Sequence, residues 1–164
     1  MKRFILIIGA VAYAKEVTGA ELLCHKYTAP YIREGKSVPA IAHDLHGRFF
    51  NLITPSTYPA AEPDIVMQEE FDLRAYGIDG KIVHTPGHSQ GSVTIVLDNG
   101  EMVLGDLVRG EEPEIHLGSY YEDKDVLIES LEMLSTYDAE KIYMSHGTSI
   151  DNEMLQKCIE EIKG

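Results

Sequence analysis

The sequence has no tryptophan and only two cysteines, Cys24 and Cys158, which lie far apart and form no C-x-x-C pair. This spacing excludes a disulfide framework and a zinc ribbon, so we expect free buried thiols in a reducing cytoplasm. Basic residues are also few, with 14 lysines and arginines against 27 aspartates and glutamates and a net charge of −13. Because no basic cluster offsets this charge, nucleic acid is excluded as an expected partner.

Long hydrophobic runs are missing too, and no segment approaches the length of a membrane span. The strongest apolar run is Phe4–Val11, which follows Lys2 and Arg3. It has the outline of a secretory signal peptide, but the segment to Ala14 is shorter than the usual ~15–30 residues. We therefore favour a strand over Arg3–Ile8 followed by a helix from Ala10, in a cytoplasmic protein.

The remaining pattern mixes strands and helices. At 164 residues the chain is expected to form a single domain over 1–164. The clearest element is a hairpin in which Val93–Leu97 alternates, Asn99-Gly100 makes the tight turn, and a second strand runs to Val108. We expect most strands to be antiparallel, which indicates an α+β fold or a layered αββα arrangement.

Helices and connections surround this hairpin. Helical spacing and stop signals predict helices at Ala10–Val17, Ala29–Glu34, Val126–Tyr137 and Asn152–Ile162, and short strands at Glu21–His25 and near residues 81–86 and 141–147. Residues 36–63 hold four prolines and predict a long connection with one short helix around Ala40–Leu45. The acidic stretch Glu111–Asp125 predicts a solvated loop.

The most informative motif is His84-Thr85-Pro86-Gly87-His88-Ser89-Gln90-Gly91-Ser92. A strand ends here, proline and glycine force a sharp turn, and the next strand begins near Ser92. This geometry presents His88 at the edge of a sheet, with its backbone held on both sides. A loop residue held by rigid elements suits metal ligation.

Two more strand ends follow the same pattern. Asp106 comes at the end of the second hairpin strand, beside Gly105, and His146 ends a later strand, beside Gly147. Imidazole and carboxylate groups are both good ligands for zinc, iron or manganese. The sequence therefore predicts a metal site built from His88, Asp106 and His146.

With T-P-G-H-S-x-G-S followed by G-D and S-H-G, the chain resembles the metallo-β-lactamase superfamily, and the stretch from Tyr76 to Asp106 is most similar to its hydroxyacylglutathione-hydrolase and lactonase-like branch. The resemblance implies an αββα sandwich and hydrolysis of a small ester, thioester or lactone. It also implies that His88 and His146 bind metal, that Asp106 bridges two metals, and that His88 and Asp106 are the catalytic pair. His84 and Ser92 are expected to support these ligands from behind.

The family motif H-x-H-x-D-H, expected between a first strand and the first helix, does not occur in the sequence. The family's first strands, normally upstream, are absent as well, so the resemblance implies an N-terminally truncated sandwich with the metal loop missing between about Ile7 and Gly9. Two cations about 4 Å apart repel strongly, and one carboxylate does not offset this. One zinc, iron or manganese ion is therefore favoured over two, and an inherited empty site is the alternative.

Two further histidines are weaker candidates. His43 and His46, spaced i and i+3, would share one helix face and could supply extra ligands, although a surface pair without a metal is the commoner arrangement. His25 and His116 are interpreted as ordinary residues.

Two classes of function stay open. The first is a metal-dependent hydrolase acting on a small molecule. The second is a non-catalytic remnant that serves as a binding or self-assembling module. A truncated sandwich would expose apolar surface and a sheet edge, which predicts a homo-oligomer.

Overall fold

The computed structural model of the protein describes residues 11–39, 41–111 and 113–164, apart from the side chains of His46 and Phe50. The strand predicted over Arg3–Ile8 lies outside these residues. The helices are α1 Val11–Thr18, α2 Ala29–Glu34, α3 Leu45–Ile53, α4 Lys124–Ser135 and α5 Asn152–Lys163. The strands are β1 Leu23–His25, β2 Ile65–Met67, β3 Glu70–Asp72, β4 Gly80–His84, β5 Val93–Leu97, β6 Glu101–Gly105, β7 Arg109–Glu111, β8 Glu114–His116 and β9 Lys141–Met144.

The helix ends follow from local chemistry. α2 ends at Gly35, whose φ of 63° lies in the left-handed region that glycine tolerates. Asp123 caps α4 by accepting hydrogen bonds from the backbone of Asp125 and Val126. Asp151 caps α5 in the same way, by accepting from the backbone of Met154. The caps Asp123 and Asp151 explain why helices form where the sequence predicts them, near Val126–Tyr137 and Asn152–Ile162.

A five-stranded sheet with the order β3-β4-β5-β6-β9 forms the centre of the fold. β3, β4, β5 and β6 pair antiparallel, whereas β9 lies parallel to β6. β1 and β2 form a separate parallel pair. The preference for antiparallel pairing is therefore confirmed for the main hairpins, and the two parallel pairs connect strands that are distant in sequence.

Each face of the sheet packs on a different layer. The larger apolar cluster joins buried residues of the sheet, such as Met102 and Ile142, to Leu131 of α4 and Leu155 of α5. The smaller cluster joins Ile82 and other residues of the opposite face to the β1–β2 pair. Burial of alternating strand residues on two faces is the arrangement expected of a layered sandwich.

The predicted position of the helix in the proline-rich connection was wrong. The structure places α3 over Leu45–Ile53, where the predicted helix Ala40–Leu45 ends. The long connection predicted over residues 36–63 includes the apolar residues Phe49, Leu52 and Ile53. In fact they follow helical spacing on a glycine-containing but proline-free stretch, and a helix forms there.

Two further expectations are corrected around the hairpin. β6 ends at Gly105 rather than Val108, and its pairing with β9 shifts register between Val103 and Gly105. The acidic stretch is not wholly a loop, since β8 pairs antiparallel with β7 inside it. Within the described ranges, no helix is both long enough and apolar enough to cross a membrane.

Candidate metal centre

The topology brings the three predicted ligands to one edge of the sheet. His88 follows β4, Asp106 follows β6 and His146 follows β9. β6 is antiparallel to β5 and parallel to β9, and β5 is antiparallel to β4. The carboxyl ends of β4, β6 and β9 therefore lie at the same edge.

The loop that carries His88 is fixed against α4. Ser130 Oγ donates a hydrogen bond to the carbonyl of Pro86 at 2.7 Å. The backbone of Glu122 donates to the carbonyl of Gly87 at 2.8 Å. Gly87 has a φ of 126°, and a Cβ there would lie 2.3 Å from Leu127 Cα. Only glycine allows the loop to approach the helix this closely.

The ring of His88 is oriented by a backbone carbonyl. Its Nδ1 lies 2.8 Å from the carbonyl oxygen of Tyr120. A carbonyl oxygen can only accept a hydrogen bond, so this contact places the proton on Nδ1 and leaves the lone pair of Nε2 free. Metal-binding histidines commonly donate their other nitrogen to such a carbonyl. His88 is therefore in the tautomer that ligation requires.

Asp106 and His146 face each other at this edge. His146 Nε2 lies 3.6 Å from Asp106 Oδ1, with 62% of the His146 side chain and 37% of the Asp106 side chain exposed to solvent. Two donor atoms on one tetrahedral zinc ion, each about 2.0–2.2 Å from the metal, are roughly 3.3–3.6 Å apart. The spacing of this pair fits a shared divalent ion.

The structure does not bring all three predicted ligands together in the way that it pairs Asp106 with His146. Among the described residues, no group of three histidine, cysteine, aspartate or glutamate side chains is arranged to hold a metal ion. The donor types, the Asp106–His146 spacing and the tautomer of His88 fit a divalent metal. The assignment of all three residues to one ion stays a prediction.

His84 lies behind this edge and is part of a histidine stack. Its Nε2 is 2.8 Å from the carbonyl oxygen of Gln90, within the same loop as His88. Its ring stacks on that of His25, with centroids 3.9 Å apart and an angle of 12° between the planes. His25 is 1% exposed. Burial lowers the pKa of His25, and the neighbouring His84 lowers it further.

Sequence reasoning missed this role of His25. The sequence predicts an ordinary residue at a strand end, and the contact of His25 with His84 joins parts of the chain that no local pattern relates.

Ser92 closes the loop that carries His88. Its Oγ accepts a hydrogen bond from the backbone of Ser89 at 3.1 Å and pairs with Ser89 Oγ at 2.9 Å.

His43 and His46 are the predicted extra ligands, and the structure describes the side chain of His43 only. The ring of His43 stacks on Tyr121 with centroids 3.7 Å apart, and its Nε2 lies 2.7 Å from the Tyr121 carbonyl. These contacts occupy one ring nitrogen and one face of His43. The side chain of His46 lies outside the described part of the chain. Their proposed ligand role stays a prediction.

The two cysteines are free and buried, as predicted. Burial raises the pKa of Cys24 to about 11 and that of Cys158 to about 11. Both thiols therefore stay protonated near neutral pH, and a protonated thiol is neither a good nucleophile nor a good metal ligand. Cys158 donates instead to the carbonyl of Ile115 at 3.4 Å.

A cleft of about 600 Å³ opens beside His146. Its walls include Asp44, Arg109, His116, Leu117 and Ser119. This size is within the range of small-molecule sites. Sequence reasoning did not identify Arg109 or Asp44, because neither belongs to a recognisable motif.

The comparisons with known proteins agree with this fold. The family model described as "Metallo-beta-lactamase superfamily" matches residues 7–146, so the chain belongs to that superfamily. Its members usually bind divalent metals such as zinc or iron, and most are hydrolases.

Three curated relatives are similar in sequence. An atrochrysone carboxyl ACP thioesterase of Passalora fulva is 30% identical over 62% of the chain and 31% of its own length. A beta-lactamase-like protein 2 homolog of Drosophila melanogaster is 27% identical over 63% of the chain and 35% of its own length. A probable metallo-hydrolase of Methanocaldococcus jannaschii is 29% identical over 56% of the chain and 43% of its own length. The matches span between about a third and somewhat under half of these relatives.

Solved structures show the same fold at low identity. An archaeal metallo-beta-lactamase superfamily protein from Sulfolobus tokodaii has a TM-score of 0.68 and 14% identity, covering 95% of this chain and 63% of its own. The BLEG-1 B3 metallo-beta-lactamase has a TM-score of 0.68 and 17% identity, covering 96% and 72%. TTHA1623, solved in a di-iron-bound form, has a TM-score of 0.58 and 23% identity, covering 92% and 69%.

Proposed function

We propose that this protein is a metal-dependent hydrolase of a small ester, thioester or lactone, related to the hydroxyacylglutathione-hydrolase and lactonase-like branch. The observation that carries the proposal is the Asp106–His146 pair, whose donor atoms are 3.6 Å apart. The oriented ring of His88 at the same edge supports it. The thioesterase among the relatives favours a thioester within this group of substrates.

His88, Asp106 and His146 would hold one divalent ion. When bound, such an ion polarises a carbonyl group and activates water for attack near neutral pH. The residues of the chain supply the rest: Tyr120 fixes the tautomer of His88 through its carbonyl, and the loop contacts with α4 hold its backbone. The cleft beside His146 gives a substrate access to this edge.

The test begins with the metal. We expect the purified protein, reconstituted with zinc, manganese or iron, to retain about one ion per chain and to hydrolyse generic esters or S-lactoylglutathione. A chelator should abolish this activity, and the same metal should restore it. Elemental analysis and steady-state kinetics measure both effects. A protein that retains no metal after reconstitution, and hydrolyses none of these substrates, would overturn the proposal.

A second candidate function, a self-assembling module, is favoured by one helix. α3 presents Leu45, Phe49, Leu52 and Ile53 to solvent, with Leu45 82% and Leu52 83% exposed. These positions follow the i, i+4, i+7, i+8 spacing of one helix face. Contiguous apolar surface of this kind marks an interaction site.

The occupant we propose for this face is a second copy of the chain. A chain of net charge −13 repels its own copies over most of its surface. α3 carries no acidic residue and one basic residue, Arg48. Two copies can therefore meet at α3 without opposing carboxylates, in a two-fold arrangement where each helix contacts the other.

Replacing Leu52 with glutamate should convert a dimer into a monomer, because it places two like charges at the two-fold contact. Sedimentation over a range of concentrations measures the change. Val17→Glu, at an exposed apolar position of α1, serves as the matched control and should leave the dimer intact. A wild-type protein that stays monomeric at high concentration would contradict self-assembly.

A further inference from the structure

Arg109 is the first residue of β7, and this strand is fastened to the segment that carries His146. The backbone of Gly110 donates a hydrogen bond to the carbonyl of His146 at 3.2 Å, and the backbone of Thr148 donates to the carbonyl of Gly110 at 3.2 Å. Gly110 and Gly147 form a parallel bridge. The backbone position of Arg109 is therefore fixed relative to the predicted ligand His146.

The guanidinium of Arg109 is available for a ligand. The residue is half-buried and lines the same cleft as His146. Within the part of the chain that the structure describes, no carboxylate forms an ion pair with it. Its side chain passes close to Gly118, where an added Cβ would lie 3.3 Å from Arg109 Cδ. A cation that lines a cleft and pairs with none of the described carboxylates is suited to a substrate anion.

Asp44 lines the same cleft, and among the described residues no ion pair joins it to Arg109. Asp44 Oδ1 accepts a hydrogen bond from the backbone of Gly47 at 2.6 Å, and its Oδ2 accepts from Ser119 Oγ at 2.7 Å. Asp44 therefore fastens α3 to the segment around Ser119 and shapes the wall of the cleft. Glu111, at the end of β7, also lines the cleft but forms no ion pair with Arg109 among the described residues.

We propose that Arg109 binds a carboxylate of the substrate, so that the preferred substrate is an ester or thioester with a second, anionic end. This inference rests on the proposed hydrolase function and names its substrate class. A guanidinium presents paired N–H donors that match both oxygens of a carboxylate. Because the whole chain is strongly acidic, an anionic substrate needs such a local cation to be held beside His146.

The test compares two substrates that differ only in this charge. One is an adipoyl thioester with a free terminal carboxylate, and the other carries a carboxamide in its place. In Arg109→Gln, KM for the carboxylate substrate should rise by about 10-fold or more, as expected for a lost charge-assisted hydrogen bond, while kcat changes little. KM for the carboxamide should not change. Arg109→Lys should restore part of the affinity.

Arg74→Gln is the matched control. Arg74 pairs with Asp98 at the β5–β6 turn, at the opposite edge of the sheet from His146. The Arg74→Gln substitution removes the same charge from the chain without altering the cleft, so KM for both substrates should stay at the wild-type level. Equal KM values for the two substrates in the wild type, unchanged in Arg109→Gln, would overturn the inference and leave the hydrolase proposal standing.

A binding measurement separates the two proposals if no substrate is hydrolysed. Adipate is titrated into the metal-reconstituted protein, and the NMR signal of the Arg109 Nε–H group is followed. A saturable shift that is lost in Arg109→Gln supports the carboxylate site even if the hydrolase proposal fails. No shift at millimolar adipate overturns the site.

Discussion

Replacing Asp106 with asparagine is expected to lower kcat/KM for ester or thioester hydrolysis by at least about 100-fold, since loss of a group that only supports a metal ligand already costs 10- to 100-fold. The substitution keeps the shape of the side chain and removes its negative charge. An amide oxygen is a much weaker ligand for zinc than a carboxylate, and His146 would lose its charged neighbour 3.6 Å away. Metal affinity should fall with activity.

Steady-state kinetics and metal content, measured on the same preparation, check this expectation. Asp106 is partly exposed, so the melting temperature of the metal-free protein should change little. Asp98→Asn is the matched control, because Asp98 lies at the turn of the same hairpin and at the far edge of the sheet. If Asp106→Asn keeps wild-type activity and metal content, Asp106 is not a ligand.

Replacing Gly147 with alanine is expected to lower the free energy of unfolding more than an ordinary substitution at another exposed position near the cleft. Gly147 has a φ of 127°, and an added Cβ would lie 1.8 Å from the carbonyl oxygen of Gly110. A side chain in such a backbone conformation costs about 1–3 kcal/mol, and the clash with the backbone adds to this cost. The contact between β7 and the His146 segment should open.

Urea unfolding and thermal melting measure the loss of stability. In a chain of this size, each kcal/mol lowers the Tm by roughly 2–4 °C. Gly77→Ala is the matched control: Gly77 also has a positive φ, 75°, but no atom lies within 4 Å of an added Cβ. It should cost about 1 kcal/mol. Equal stabilities of the two variants would show that the approach of Gly147 to Gly110 is unimportant.

Much of the sheet could be predicted because its signals are local. The alternation of Val93–Leu97 and the Asn99-Gly100 turn define the β5–β6 hairpin, and Gly35 marks the end of α2. The position of His88, Asp106 and His146 after strands follows from the glycines beside them. β4, β5 and β6 follow one another in the chain and are neighbours in the sheet, so local signals relate His88 to Asp106, whereas His146 joins them only through the long-range parallel pairing of β9 with β6.

The parts that were missed depend on long-range contacts. β8 forms in an acidic segment because its backbone pairs with β7, which charge patterning does not show. The stack of His25 on His84 joins β1 to β4, two strands that belong to different sheets. Arg109 carries no motif, and its importance comes from the bridge between Gly110 and Gly147, which is visible only in three dimensions.

The attachment of the His88 loop to α4 has a consequence for how this protein can change over evolutionary time. Ser130 and Pro86 are 44 residues apart in sequence, yet the helix and the loop touch at Gly87 with no room for one more carbon atom. A larger side chain at either place forces the other segment to shift. The two segments should therefore vary together among related chains, and transplanting the loop without its helix should misplace the imidazole that it presents.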